Sequence, residues 1–173
     1  FPFATSQHIE LAGSKVIATR LTYVGALGWE LYIPRQNALA VYQTITQTPI
    51  QHAGYHAMDS LRIEKAYRHW GHDICDEDTP LEAGLGFTVD WRKSNTLGLA
   101  ALTAQKNRGL QRRLILFQLA DEQALMTHEE PIWSEGERVG TGTARAEGDS
   151  VNASRAFGYV ETDSGKTRKE SMN

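Results

Sequence analysis

Glu30 stands between Trp29 and Leu31 in the run RLTYVGALGWELYI, just after a stretch broken by Gly25 and Gly28. A carboxylate offers two acceptor oxygens in a fork. It pairs best with two adjacent N–H donors, as on a guanidinium or the edge of an aminopyrimidine. The same acid can equally face water, because strand alternation routinely places acids outward. Tyr23 comes seven residues earlier, across the glycine turn. A hairpin-like reversal would bring Tyr23 and Glu30 to one wall, where the tyrosine supplies a stacking face and a hydroxyl. The plain alternative for Tyr23 is a core or edge residue.

Other groupings carry weaker chemistry. Asp59, Arg62 and Glu64 crowd together, with Glu82 further on, and read either as a carboxylate-binding arginine or as a structural ion pair. His52 and His56 are spaced for a metal only on a helix, and Gly54 argues against one there; His69 and His72 straddle Gly71. No HExxH context exists, so no metal site is expected. Ser60 and Ser94 lack the G-x-S-x-G elbow. VGTGTA around Gly140 has no following helix to cradle a phosphate and reads as strand and turn.

Several elements must position these residues. Lys15 to Tyr23 reads as a strand, the segment from Val24 to Gly28 as a turn, and Trp29 to Ile33 as a second strand. Pro34 suits a helix start, and Leu39, Tyr42 and Ile45 recur at helical spacing before Pro49. A helix is expected from Asp59 or Ser60, with Gly71 as its end. DEDTPLEAGLGF is turn-rich, Phe87 to Trp91 a short strand, and Leu97 to Asn107 a helix closed by Gly109. Beyond Gly109 come RRLILFQLAD, PIWS, the turn Glu135-Gly136, ERVGTGTARA and RAFGYVE, all short strands. Residues 1–108 are therefore expected to be α+β and residues 109–173 mostly β, with a polar, frayed tail DSGKTRKESMN.

Composition narrows the class. With 173 residues the chain can bury a real core, and 40% apolar against 23% charged residues is globular composition. A net charge of −3 gives no general reason to bind nucleic acid or an acidic membrane, and no apolar stretch approaches a membrane span. The single cysteine, Cys75, cannot form an internal disulfide. The start FPFATSQHIELAG has neither a signal-peptide pattern nor an initiator Met, as expected of a piece of something larger.

The blocks YVGALGWELYIP, GYHAMDSLRIEKAYRHWGHDI, DTPLEAGLGFTVDW, GLQRRLILFQL and PIWSEGERVGT resemble, in order, the glycine-cleavage T-protein (aminomethyltransferase) family. SLRIEKAYRHW and PLEAGLGFT are most similar to the C-terminal region of sarcosine and dimethylglycine dehydrogenases. The resemblance implies part of a three-domain cloverleaf: a ferredoxin-like α+β portion of the folate-binding region over 1–108, then a small antiparallel β-barrel domain over 109–173. It implies tetrahydrofolate as ligand, with Tyr23 and Glu30 lining the site, Glu30 on the paired donors of the pterin. The implied reaction moves a one-carbon unit from an aminomethyl or N-methyl donor to tetrahydrofolate, giving methylenetetrahydrofolate.

The family's catalytic aspartate belongs to a region upstream of these blocks, and no catalytic residue is assigned here. No GxGxxG marks an FAD site. The chain departs from the family at Ala26, Met58 and Leu99, where an acid and two basic residues are usual. Those departures keep open a noncatalytic regulatory or interaction subunit of the same fold. A split product completed by an upstream domain or partner chain is equally open. The implied location is cytoplasmic, or the mitochondrial matrix in a eukaryote.

Overall fold

The computed structural model describes residues 1–121, 129–148 and 153–162, and the expected frayed tail lies outside them. Contacts divide the chain into two compact units, Phe1–Lys65 and Ala66–Asn173. Each carries one antiparallel sheet, in an α+β architecture.

The first unit is built on β1 (Ser6–Leu11), β2 (Ser14–Thr19) and β3 (Glu30–Tyr32), in that order across the sheet. Ser14, Val16 and Ala18 point inward and are buried, while Lys15 and Ile17 between them are exposed. That strict alternation is the signature of a sheet with one wet face. β1 was not expected from sequence: SQHIEL has only two apolar residues, and its pairing with β2 supplies the order its composition does not. The strand expected to reach Tyr23 stops at Thr19, where Leu21 N–H turns back onto the Thr19 carbonyl.

A 3-10 turn after Pro34 leads into α1 (Ala38–Thr46), which ends before Pro49 as the spacing predicts. Only Val41 of α1 is buried. Leu39 and Tyr42, whose spacing marked the helix, are exposed. α2 (Tyr55–Glu64) starts one turn earlier than expected, after Gly54, and ends at Lys65 rather than Gly71. Ala66 follows with a φ of 56°, which leaves the right-handed helical region and stops the helix.

In the second unit, α3 (Leu99–Arg108) is closed by Gly109 at φ 87°, with Lys106 and Arg108 in its last turn where the helix dipole favours cations. β4 (Arg112–Gln118), β5 (Pro131–Ser134), β6 (Glu137–Gly148) and β7 (Ala153–Glu161) form a sheet in the order β4-β7-β6-β5, not closed among the described residues. VGTGTA lies inside β6, as strand. The strand expected over Phe87–Trp91 does not form: Gly86–Thr88 is a 3-10 turn and Phe87 is exposed.

The turn-rich segment 66–85 is fastened to this sheet by polar contacts. Asp73, 1% exposed, accepts from the His69 backbone N–H at 2.8 Å and from the Thr143 hydroxyl at 3.3 Å. Leu114 N–H donates to the Glu82 carbonyl, and Arg112 bonds Asp78 at 2.9 Å while its guanidinium stacks on the Tyr159 ring. The Tyr159 hydroxyl is buried without a hydrogen-bond partner among the described residues. Burial, with nearby Asp78 adding, pushes its phenol well above the ordinary value.

Two outcomes follow from this packing. A Cβ at Gly140 would lie 2.0 Å from the Tyr159 carbonyl oxygen, a backbone atom that cannot swing aside. Gly140→Ala should therefore cost about 1–3 kcal/mol in chemical denaturation, the range for overpacking. Tyr159→Phe removes a buried hydroxyl close to the Asp78 carboxylate and should change stability at neutral pH by no more than about 1 kcal/mol. A raised tyrosine holds its proton more tightly folded than unfolded. Its contribution is thus intact below about pH 10 and lost as pH climbs above that value, a loss the phenylalanine variant should lack in denaturation series across pH.

Candidate functional site

Thr19, the last residue of β2, pairs with Glu30, the first of β3. The ten residues between them form the loop that carries Tyr23 and the glycine turn. The structure thus brings Tyr23 and Glu30 to one end of the first sheet. Tyr23 is half-buried in the loop and Glu30 is exposed on the wet sheet face. Gly25 makes the loop possible in two ways. Its φ is 77°, and a Cβ there would lie 2.5 Å from the Lys65 side chain.

The face around Glu30 is legible row by row. Ser6, Thr19 and Glu30 share one row, and His8, Ile17 and Tyr32 the next. Ser6 and Thr19 hydroxyls are bonded to each other at 2.9 Å. The Tyr32 hydroxyl donates to Glu30 Oε2 at 2.9 Å. Tyr32 and Ile17 are 57% and 40% exposed, so an apolar strip runs beside the carboxylate. The hydrogen bond to Glu30, and the repulsion a phenolate would feel from its carboxylate, raise the Tyr32 phenol above its ordinary value. At the far end of the sheet, a shallow cavity of about 290 Å³ is lined by His8, Ile9, Glu10 and Lys15, and does not include Glu30.

Tyr32 was missed by sequence reasoning, although its position two residues past Glu30 on a strand puts both on one face. Arg62 does not face this surface as a ligand-binding cation. It is 1% exposed and its Nε donates to Asp59 Oδ1 at 2.6 Å, a helix-internal pair that makes its burial tolerable. Glu82 belongs to the second unit, where it accepts from Thr79 and lies 3.7 Å from Arg112. The His69 and His72 rings lie 4.3 Å apart, tilted by 47° to each other, and His52 lies against Tyr42. No group of three potential ligands converges on a metal position among the described residues. No described helix is long and apolar enough to cross a membrane.

Residues 1–93 match the GCVT N-terminal domain, and residues 112–171 the glycine cleavage T-protein C-terminal barrel domain. The chain belongs to the glycine cleavage T-protein family. Mouse mitochondrial sarcosine dehydrogenase is 45% identical over 170 residues, covering 95% of this chain and 18% of that protein. Human mitochondrial dimethylglycine dehydrogenase is 37% identical over 165 residues, covering 92% and 19%. An aminomethyltransferase of Halothermothrix orenii is 36% identical over 157 residues, covering 88% and 44%. The crystal structure of the glycine cleavage system aminomethyltransferase T from Bartonella henselae superposes with a TM-score of 0.83 at 26% identity, over 93% of this chain and 45% of that one. This T-protein-family chain therefore spans under a fifth of the dehydrogenases and under half of the aminomethyltransferases it matches.

Because Glu30 is exposed and strand-borne, its removal should not disturb the T-protein fold. Glu30→Gln should change unfolding free energy by less than about 0.5 kcal/mol in urea melts, the range for surface positions. A larger loss would make the acid part of the scaffold.

Proposed function

We propose that this chain supplies one wall of a tetrahydrofolate site in a one-carbon transferase, with Glu30 accepting from the pterin and Tyr23 contacting its ring or tail. The reading assigns residues 1–108 to the folate-binding region and 109–173 to the C-terminal barrel domain. The observation that carries it is Glu30 itself: an acid set at the open end of a sheet face, beside an apolar strip and next to the loop bearing Tyr23.

The chemistry fits the residue types. The pterin presents a ring N–H and an amino group side by side, and a carboxylate accepts both. The acceptor substrate takes up a one-carbon unit from a glycine-, sarcosine- or dimethylglycine-derived donor, to give methylenetetrahydrofolate. The protein's share is to orient the two reactants and keep water from a reactive iminium-level carbon. An exposed carboxylate is fully hydrated, so the wall works only when an upstream domain or a partner chain covers it. The proton-handling group of the reaction is not among the residues assigned here, and the chain alone should turn over little substrate.

A noncatalytic subunit of the same fold is the second reading. It is favoured by Ala26 in the exposed loop, Met58 in α2 and Leu99 at the start of α3, where the family pattern carries charge.

Binding separates the two. In the longest natural chain containing these residues, Glu30→Gln should weaken tetrahydrofolate by about 1–3 kcal/mol, the worth of hydrogen bonds to a charged group. Calorimetry reads that as a roughly 5- to 150-fold rise in Kd. No tetrahydrofolate binding to the unmodified chain, or unchanged affinity in the variant, removes the pterin role.

A further inference from the structure

Tyr32 is part of the apolar strip of that wall, and its hydroxyl also donates to the carboxylate on which the wall depends. We infer that Tyr32 is a positioning residue for Glu30, holding the carboxylate on the exposed sheet face so that one oxygen edge stays presented to an aminopyrimidine. The inference rests on the folate reading and extends it to a residue that acts through another.

The geometry is specific. Tyr32 and Glu30 are two apart on β3, so the pleat puts both side chains on the same face. Leu31 between them pairs with Ala18 on the buried side, which prevents the strand from rolling over. The phenol donates to Oε2 at 2.9 Å. A carboxylate has about four lone-pair sites, so one donor leaves Oε1 and part of Oε2 for two N–H groups. Ile17, the cross-strand neighbour of Tyr32, is β-branched and stiff, and limits how far the ring can swing.

Energetic logic says why such a residue is useful. An exposed glutamate samples many rotamers, and binding has to freeze them. A preformed bond removes part of that cost before the ligand arrives, which is preorganisation. Water weakens the bond while the face is open; covering the face would strengthen it, since a low local dielectric does so for any hydrogen bond. The raised phenol keeps Tyr32 a donor across the neutral range.

A double-mutant cycle tests this, with tetrahydrofolate as the probe and the longest natural chain as the protein. Tyr32→Phe should raise Kd about 3- to 10-fold when Glu30 is present, and have no effect in the Glu30→Gln background. NMR of ζ-labelled tyrosine should show the Tyr32 phenol titrating closer to its ordinary value in Glu30→Gln. If Glu30→Gln alone leaves binding unchanged, the folate contact itself falls, and this role with it. If Glu30→Gln weakens binding but Tyr32→Phe is silent, or weakens it equally in both backgrounds, only the positioning role is overturned. A Tyr32 titration that ignores the glutamine substitution overturns it as well.

Discussion

Leu31 has to go inward. It pairs with Ala18 on a face whose neighbours Val16 and Ser14 are almost wholly shielded from water. A shift of register by one residue would swap that face for the other and strand Leu31 in solvent. The outward direction of Glu30 and Tyr32 is the unavoidable counterpart of that burial. The candidate site is therefore set by the apolar side of the strand, and the acid is presented because its neighbour is hidden. Pairing of Thr19 with Glu30 then determines where along the sheet the carboxylate appears and how long a loop must return to it.

Exposure also sets the strength of anything that binds there. In water the Glu30–Tyr32 bond and any ligand contact to the carboxylate compete with solvent, and their net worth is small. The same groups gain when water is excluded, because the local dielectric falls. A wall of this kind is weak alone and strong when covered.

The second unit solves a different problem. Its segment 66–85 has little regular structure, yet it carries buried polar groups that need partners. Asp73 is satisfied by a backbone N–H and the Thr143 hydroxyl, and Asp78 and Glu82 by Arg112. Burial pulls the Arg68 guanidinium below its ordinary value, and Asp73 offsets part of that effect. Among the described residues the Tyr159 hydroxyl and Gln105 Oε1 lack partners, the former tolerated where the Arg112 guanidinium packs over its ring.

By itself the sequence determined the elements whose signals are local. Strand-forming composition marked β2, and short strand-like runs broken by glycine marked PIWS, the Glu135-Gly136 turn and the strand around VGTGTA. Pro34, Pro49 and Gly109 bracketed two helices through backbone constraints that act wherever those residues stand. Ordered motifs carried the family. Tertiary structure decided what depends on partners. SQHIEL became a strand because β2 offered an edge, whereas Phe87–Trp91 begins in a 3-10 turn and pairs with no strand among the described residues. The stripe of Leu39 and Tyr42 stayed in solvent while Val41 was buried, since helical spacing defines a face but not which way it turns. Arg62 vanished into the core with Asp59 as its counterion, and Tyr32 reached Glu30, because charge burial and side-chain contact are properties of neighbours in space rather than in the chain.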